Sequence, residues 1–289
     1  MLIERTERLA DGVTLYLGNC VDILPTLPPA DAVVTSPPYG QQRDYGRKID
    51  DWRAVVSGAL KSAPDGGKTQ VLVNLGMFHR DGEVVTYWEP FIGDMRAAGW
   101  RLFGWYVWDQ LSGMAGDWGG RLAPSFEFVF HFNRDARSVN KTKPTVTVGK
   151  LHSGNMRNPD GTSKLKTGDG KPVQPTKIPD SVIRAVRETS SGYEAAHPAR
   201  FPVAFARELI APFSDAGQTI IDPFCGSGTT GVAAVKMGRR FTGIEIEPSY
   251  FDLSCRRISE ALKQPDLFIA PPTPRENAME LELAPTGRP

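Results

Sequence analysis

Apolar residues along the first 133 positions occur in short runs that alternate with longer stretches of mixed character. Runs such as DAVVTS, TQVLVNL and FEFVFHF are rich in β-branched, aliphatic and aromatic residues, which is typical of strands buried on both faces of a sheet. Segments 51–62 and 88–98 are helix-like, and Gly99 follows the second as a C-terminal cap. Strands that alternate with helices predict an α/β fold with a largely parallel sheet.

The same alternation returns between residues 197 and 263. Four aromatic or aliphatic residues at helical spacing come first: Phe201, Phe205, Leu209 and Phe213. They are followed by strand TIID, helix TTGVAAVKM, strand FTGIE and helix SYFDLSCRRISEALK. This segment is therefore predicted to be a second compact α/β unit.

Residues 134–196 differ in composition from both flanking regions. Between Arg134 and Arg187 there are twelve Lys or Arg, four acidic residues, five Gly, five Pro and no aromatic residue. This stretch has a net charge of +8, whereas the whole chain has +1. It cannot bury a large core, so we expect a loop-rich insertion facing a polyanion, with a flexible charged linker as the alternative. Residues 264–289 contain six Pro and are expected to form a surface tail.

Composition also argues against several classes of protein. No run approaches the roughly 20 apolar residues of a membrane helix, and the charged N-terminus is unlike a secretory signal. The three cysteines share no CxxC spacing, and the four histidines have no metal-ligand spacing. We therefore expect no membrane partner, no disulfide framework and no metal, and a reducing cytoplasm as the compartment.

A glycine-rich turn follows the strand predicted at 219–222. The sequence DPFCGSGTT runs from Asp222 into a helix, and Gly226 and Gly228 would let the backbone approach a ligand closely. No lysine follows Gly228, so the turn is not a P-loop for a triphosphate. Glu245 ends the next strand, where an acid can accept hydrogen bonds from both hydroxyls of a ribose. The alternative is a turn that only packs closely against its neighbours.

A second motif joins a buried strand to a stiff turn near the N-terminus. In TSPPYG each Pro fixes its own φ and favours extended geometry in the residue before it. Acceptors held at the Ser36 hydroxyl and the Pro37 carbonyl could engage both hydrogens of a nucleobase amino group and stabilise the positive charge that forms on its nitrogen. Tyr39 would stack on the base. A proline-stiffened surface turn is the alternative.

The two motifs, in this order, resemble those of S-adenosylmethionine-dependent DNA amino-methyltransferases of the circularly permuted β group. The resemblance covers about 14–133 and 197–262. It implies a Rossmann-like methyltransferase sheet, largely parallel and circularly permuted, with a loop-rich basic target-recognition insertion. Residues 1–133 would form the catalytic half, 134–196 the insertion and 197–263 the cofactor-binding half of the same domain. S-adenosyl-L-methionine is the implied cofactor, and double-stranded DNA is the implied partner.

The resemblance also assigns site residues. The catalytic set is Ser36, Pro37, Pro38 and Tyr39. The set expected at the cofactor is Asp222, Phe224, Gly226, Ser227, Gly228, Thr229, Thr230, Glu245 and Asn19. Asn19 stands where the family often has Asp, and its amide oxygen could accept from the adenine amino group. The set expected at DNA is basic and comprises Arg43, Lys141, Lys143, Lys150, Arg157, Lys164 and Lys166.

The implied reaction moves a methyl group to an exocyclic amino group of a base flipped out of the duplex. Ser36 at the head of PPY resembles the subgroup that acts on the 4-amino group of cytosine, whereas adenine-specific members usually have Asp there. Methylation of adenine, of RNA or of a protein amide are alternatives, and so is a DNA-binding protein without catalysis. A homodimer, a cognate restriction endonuclease and the recognition sequence are left open by the sequence.

Overall fold

The structure is a computed structural model, and it describes residues 3–38, 52–113, 116, 118–166, 168–187 and 201–264. The strands in chain order are β1 (Ile3–Ala10), β2 (Val13–Gly18), β3 (Ala30–Thr35), β4 (Asp65–Leu75), β5 (Phe78–Arg80), β6 (Glu83–Val85), β7 (Arg101–Asp109), β8 (Phe126–Asn133), β9 (Lys143–Pro144), β10 (Asn155–Arg157), β11 (Ser163–Leu165), β12 (Thr176–Lys177), β13 (Val182–Arg184), β14 (Thr219–Asp222) and β15 (Arg240–Glu245). The helices are α1 (Cys20–Ile23), α2 (Trp52–Leu60), α3 (Trp88–Ala97), α4 (Val203–Ile210), α5 (Thr229–Lys236) and α6 (Pro248–Lys263), with 3₁₀ turns at Leu24–Thr26 and Ala211–Phe213. None of these helices is long and apolar enough to cross a membrane.

Nine of the strands form one sheet in the order β1-β2-β15-β14-β3-β4-β8-β7-β13. Neighbours from β2 to β4 are parallel, whereas β8 is antiparallel to both β4 and β7. A hairpin adds the charged edge strand β1 antiparallel to β2. The prediction of a largely parallel α/β sheet is confirmed, although the polar sequence of β1 was not recognised as a strand.

Helices cover both faces of the sheet, which explains why its central strands carry consecutive apolar residues. Val33 and Val34 are both fully buried. Val33 belongs to a core shared with α1, α2 and α3, and Val34 to a core shared with α4, α5 and α6. Successive side chains of a strand point to opposite faces, so a strand between two helical layers has apolar residues on both faces.

The two halves of the chain meet in the middle of the sheet, between β14 and β3. Ile220 pairs with Ala32, and Ile221 pairs with Val33, in parallel register. The core contacts place α5, which follows β14, on one face and α2 on the other. Divergence of the following helices at neighbouring parallel strands opens a crevice at their carboxyl ends, where ligands bind in open α/β sheets.

The basic insertion is loop-rich, as expected. Its strands pair locally, β10 with β11 and β12 with β9, and every residue of β10 and β11 is exposed. Its far end differs from the expectation, because β13 joins the main sheet parallel to β7. Ile183 and Ala185 are buried there. A three-residue strand inside a charged segment is too short to show a period, so the pattern could not reveal it.

Candidate active site

The turn after β3 lies in the crevice, at the carboxyl end of that strand. Pro37 is buried, and Ser36 and Pro38 are half-buried. The carbonyl of Pro38 accepts a hydrogen bond from the indole N–H of Trp52, the first residue of α2. Trp52 is itself held edge-on against Tyr87, with ring centroids 4.8 Å apart. The prolines thus restrict the backbone of the turn, and the aromatic layer formed by Trp52 and Tyr87 holds its last carbonyl in place.

Two predicted site residues near this turn, Tyr39 and Arg43, lie outside the described residues. Trp52 was not singled out in the sequence. The signal that could have found it is an aromatic residue at the start of the first helix after a proline-fixed turn.

The glycine-rich loop after β14 is tightly packed. Gly226 and Gly228 have left-handed φ values of +53° and +80°. The Gly228 N–H donates to the Cys225 carbonyl at 2.8 Å. A Cβ at Gly228 would lie 2.9 Å from the Cβ of Ser254 on α6. Packing against helix α6 therefore requires a glycine at this position, whatever the loop binds.

Glu245, at the end of β15, holds this loop from the neighbouring strand. Its buried carboxylate accepts from the backbone N–H groups of Gly226 at 2.6 Å, Ile246 at 2.8 Å and Glu247 at 2.8 Å. Burial raises the pKa of Glu245, and these three hydrogen bonds oppose that shift. A carboxylate offers about four acceptor positions, so capacity remains for a further hydroxyl donor.

Asp222, the first residue of the loop motif, points into the interior. Its carboxylate accepts from the hydroxyls of Thr35 and Thr230, each at 2.6 Å, and from the Phe224 N–H at 3.1 Å. Burial raises the pKa of Asp222 to about 6. The structure therefore brings the loop motif and the catalytic strand together on one carboxylate.

Arg257 on α6 is a site residue that the sequence reasoning missed. Its buried guanidinium donates to the Ser227 carbonyl at 2.6 Å, to the Ser227 hydroxyl at 3.0 Å and to the Thr229 hydroxyl at 3.2 Å. The buried positions Ser254, Arg257, Ile258 and Ala261 have helical spacing. A charged residue on the apolar stripe of α6 was the available signal, because an arginine is rarely buried without partners.

A family model described as DNA methylase, of the N6/N4 methyltransferases, matches residues 30–256. The chain belongs to this DNA methylase family. The predicted class, an S-adenosylmethionine-dependent amino-methyltransferase of DNA, is thereby confirmed.

Two relatives of the methylase differ in how much of the chain they match. The type II methyltransferase M.ScaI of Streptomyces caespitosus is 28% identical over 277 residues, which cover 85% of this chain and 81% of the relative. The DNA adenine methyltransferase YhdJ of Escherichia coli (strain K12) is 38% identical over 93 residues, which cover 32% of this chain and 31% of the relative.

Solved structures show the same fold. The cytosine-N4-specific PvuII DNA methyltransferase superposes with a TM-score of 0.63 and 19% identity, over 86% of this chain and 89% of that chain. The putative DNA modification methylase TTHA0409 of Thermus thermophilus, complexed with S-adenosyl-L-methionine, superposes with a TM-score of 0.56 and 21% identity. The match covers 86% of this chain and 95% of that chain. The Rossmann-like methyltransferase sheet predicted for this chain is confirmed.

The residues of the methylase's crevice fit the chemistry of S-adenosylmethionine. Asp222 and Glu245 are buried carboxylates that both accept from backbone N–H groups of the glycine-rich loop, and their negative potential suits a cationic sulfonium. Phe224 is half-buried at the edge of the core and can lie against a flat purine. Asn19 is exposed, and its amide oxygen caps α1 by accepting from the Val21 N–H at 3.0 Å. Asn19 thus caps α1, in addition to the contact with the adenine amino group that is predicted for it.

The basic residues predicted at DNA divide into two groups. Lys141, Lys150, Arg157, Lys164 and Lys166 are exposed. Lys143, by contrast, is half-buried, and its ammonium pairs with Glu208 of α4 at 2.6 Å. The exposed group has a member on each strand of the β10–β11 hairpin, Arg157 on β10 and Lys164 on β11. Lys143 instead attaches the insertion to the body of the methylase.

Proposed function

We propose that the methylase transfers a methyl group to the 4-amino nitrogen of a cytosine flipped out of double-stranded DNA. The observation that carries the choice of base is Ser36, a hydroxyl in place of a carboxylate at the head of the Pro-Pro-Tyr turn. Its position directly after β3, in the crevice between β3 and β14, supports its assignment to the reaction site.

Ser36 and Pro37 act on the target amino group. The lone pair of that nitrogen is delocalised into the ring, so the nitrogen is a poor nucleophile. The Ser36 hydroxyl and the Pro37 carbonyl accept hydrogen bonds from its two N–H groups, favour a pyramidal nitrogen and stabilise the positive charge that forms there. Trp52 holds the Pro38 carbonyl, which limits rotation of the turn that presents both acceptors. Tyr39 stacks on the flipped base.

The residues around the glycine-rich loop hold the methyl donor. Glu245 accepts from the ribose hydroxyls, Phe224 covers the adenine, and the Gly226–Thr230 segment shapes the wall between them. Asn19 remains a candidate for the adenine amino group. S-adenosylmethionine supplies, when bound, an electrophilic methyl group on a positively charged sulfur. Arg257 fixes Ser227 and Thr229 from below, so the loop is ordered before the donor arrives.

The exposed hairpin of the insertion contacts the DNA. A two-stranded ribbon fits the major groove, and its Arg157 and Lys164 can reach phosphates or base edges. Lys166 and Lys150 lie close by in the sequence and are also exposed. The exposure of the basic residues, together with the +8 charge of the stretch from Arg134 to Arg187, supports this assignment.

Adenine is the second candidate target. The relative YhdJ is named as a DNA adenine methyltransferase, and over 93 residues it is 38% identical to this chain. That likeness covers 32% of the chain, so we give more weight to Ser36 as the residue at the reacting atom.

The product nucleoside decides between the two bases. Duplex DNA of mixed sequence is incubated with the methylase and isotopically labelled S-adenosylmethionine, digested to nucleosides and analysed by mass spectrometry. We expect label in N4-methylcytosine. Label in N6-methyladenine alone would make adenine the target, and label in a parallel RNA or peptide sample instead of DNA would overturn the proposed substrate.

Ser36→Ala tests the catalytic assignment. Removing one acceptor for the developing charge should slow single-turnover methyl transfer by about a hundredfold or more. Affinities for DNA and for S-adenosylmethionine should change little, because this contact gains strength in the transition state. Ser36→Thr keeps a hydroxyl and serves as the control. Parental rates in Ser36→Ala would reduce the turn to a structural role.

A further inference from the structure

Three hydrogen bonds converge on one buried carboxylate between the two motifs of the site. One oxygen of Asp222 accepts from the Thr35 hydroxyl at 2.6 Å and from the Phe224 N–H at 3.1 Å. The other oxygen accepts from the Thr230 hydroxyl at 2.6 Å. Thr35 and Thr230 are fully buried, and Asp222 is 2% exposed. These contacts lie inside the protein, behind the surfaces that substrates reach.

The two threonines belong to opposite halves of the reaction site. Thr35 is the last residue of β3 and directly precedes Ser36. Thr230 is the second residue of α5, two residues after Gly228 of the glycine-rich loop. The Thr230 hydroxyl also lies 3.5 Å from the carbonyl of Val34, the neighbour of Thr35. The catalytic turn and the cofactor loop therefore share an acceptor, although Thr35 and Thr230 are far apart in the chain.

The carboxylate extends the link between β3 and β14 beyond their backbone ladder. The backbone pairing of the two strands ends with Ile221 opposite Val33. Asp222 and Thr35 come after this last pair, where the strands enter the loop and the turn. Side-chain hydrogen bonds to a charged acceptor are stronger than neutral ones, so they can hold the two segments together where strand pairing has stopped.

Burial of this charge calls for a reason beyond packing. In the part of the chain that the structure describes, the hydrogen bonds to Asp222 come from two hydroxyls and one backbone N–H, and none of these donors is a cation. A buried charge is expensive even when it is hydrogen-bonded, and apolar residues would fill the same space more cheaply. A carboxylate is useful here because it can bind two hydroxyls and one N–H at the same time.

We propose that Asp222 is a positioning residue that couples the cofactor loop to the catalytic turn. It fixes the spacing between the segment that holds the methyl donor and the segment that holds the target amino group. Methyl transfer needs its reacting atoms about 3–3.5 Å apart, and a misplacement of about 1 Å can slow such a step about a hundredfold. This inference rests on the proposed function, because it takes the Ser36 turn and the loop as the two halves of the site.

Coupling through Asp222 predicts effects that cross from one half to the other. Thr35→Val removes the hydroxyl on the catalytic side, and calorimetry without DNA should then show several-fold weaker binding of S-adenosylmethionine. Thr230→Val removes the hydroxyl on the cofactor side, and single-turnover methylation at saturating S-adenosylmethionine and DNA should slow about ten- to a hundredfold, the loss expected for one hydrogen bond to a charged group. In each measurement, the free-energy loss of the double variant should be smaller than the sum of the losses of the two single variants.

Conservative variants separate positioning from mere packing. Thr35→Ser and Thr230→Ser keep the hydroxyls and should restore both the affinity and the rate to near parental values. Each variant is first melted without ligand, and Thr35→Ala or Thr230→Ala replaces a valine variant that does not fold.

The coupling would be contradicted if each threonine affected only its own half of the site. If loss of the Thr35 hydroxyl changes only turnover, and loss of the Thr230 hydroxyl changes only affinity for S-adenosylmethionine, each contact is local and the coupling is wrong. Additive losses in the double variant would overturn it as well. The calorimetric arm needs no DNA, so it still tests the coupling if the product assay shows a target other than cytosine.

Discussion

The backbone N–H of Gly226 donates to the carboxylate of Glu245 at 2.6 Å, and this bond joins the loop after β14 to the end of β15. The two strands are parallel neighbours, with Asp222 paired to Gly243. Glu245 therefore has two tasks in the proposed site: it holds the loop in place, and it faces the ribose of the donor. A variant at this position should affect both.

Glu245→Ala removes the charged acceptor for the ribose and releases the loop. We expect the affinity for S-adenosylmethionine to fall by about 1.5–3 kcal/mol, the usual contribution of hydrogen bonds to a charged group. Glu245→Gln keeps the shape and one acceptor oxygen, so its loss should be smaller. Isothermal titration calorimetry measures both, with the neighbouring Glu247→Gln as the control. A folded Glu245→Ala protein with parental affinity would remove Glu245 from the site.

Trp52→Phe tests the anchor of the catalytic turn. Phenylalanine keeps the ring between Tyr87 and Phe91 but cannot donate to the Pro38 carbonyl. The turn should then move more freely, and single-turnover methylation should slow roughly five- to tenfold, which corresponds to one ordinary hydrogen bond. Affinity for S-adenosylmethionine should stay at the parental level, since Trp52 lies on the catalytic side.

Trp88→Phe is the matched control for that experiment. Trp88 is buried in the same aromatic layer, 5.2 Å from Tyr87 between ring centroids, and within the described residues no hydrogen bond joins it to the turn. The substitution should lower the melting temperature without slowing the chemical step. Equal rate losses in both variants would mean that the layer matters only for packing.

Local patterns in the sequence were enough to predict the central sheet and both motifs. The centres of β3 and β4 are runs of buried apolar residues because helices cover both faces, and that composition is visible without a structure. The glycine-rich loop and the proline turn were also recognisable, because unusual backbone geometry restricts the residues that can adopt it.

The interactions that hold the site together could not be predicted in the same way. Asp222 is assigned to the cofactor site by the resemblance, but the sequence gives no sign that Thr35 and Thr230 share its carboxylate. Arg257 is in contact with Ser227, thirty residues earlier in the chain. The Thr35 bond depends on the pairing of β3 with β14, and the Arg257 bond depends on the packing of α6 against the loop, so neither leaves a local period in the sequence.

Lys164 and Lys166 provide the test of the DNA interface. Replacing both with Gln should weaken DNA binding and reduce the slope of log K against log salt by about two, because each phosphate contact releases a condensed counterion. Affinity for S-adenosylmethionine should not change. Fluorescence anisotropy with a labelled duplex over a range of salt concentrations gives the slope.

Lys177→Gln is the control within the same insertion. Its ammonium already pairs with Asp180 at 3.0 Å, so its loss should alter the slope less. An unaltered slope in the Lys164 and Lys166 double variant would show that these lysines face solvent in the complex, as expected for a charged linker.

His131 connects folding stability to pH. It is fully buried on β8, where its Nδ1 lies 2.8 Å from the Tyr106 hydroxyl and its Nε2 lies 2.8 Å from Gln70 Oε1. The Gln70 oxygen can only accept, so Nε2 donates to it and Nδ1 accepts from Tyr106 in the neutral ring. Burial lowers the pKa of His131 from 6.5 to about 4 in the folded protein.

The direction of the pH effect follows from this shift. Between pH 6.5 and 4 the His131 ring binds a proton in the unfolded chain but stays neutral in the folded protein. The free energy of unfolding therefore decreases as the pH falls, by about 2–3 kcal/mol near pH 4.5. Asp222 acts in the opposite direction, because its pKa is raised to about 6 and its folded form is favoured as the pH falls below that value. The effect of His131 must therefore be measured as a difference between variants.

His131→Gln isolates that difference. Urea unfolding at pH 7.5 and at pH 4.5 should show the parental protein losing about 2–3 kcal/mol more than His131→Gln, since Asp222 contributes equally to both. His79→Gln, at an exposed position on β5, should follow the parental protein. If His131→Gln and the parental protein lose the same free energy, the ring is protonated in the folded state at pH 4.5. The buried bond from Nε2 to Gln70 would then persist alongside a second donor at Nδ1, which the Tyr106 hydroxyl would have to accept.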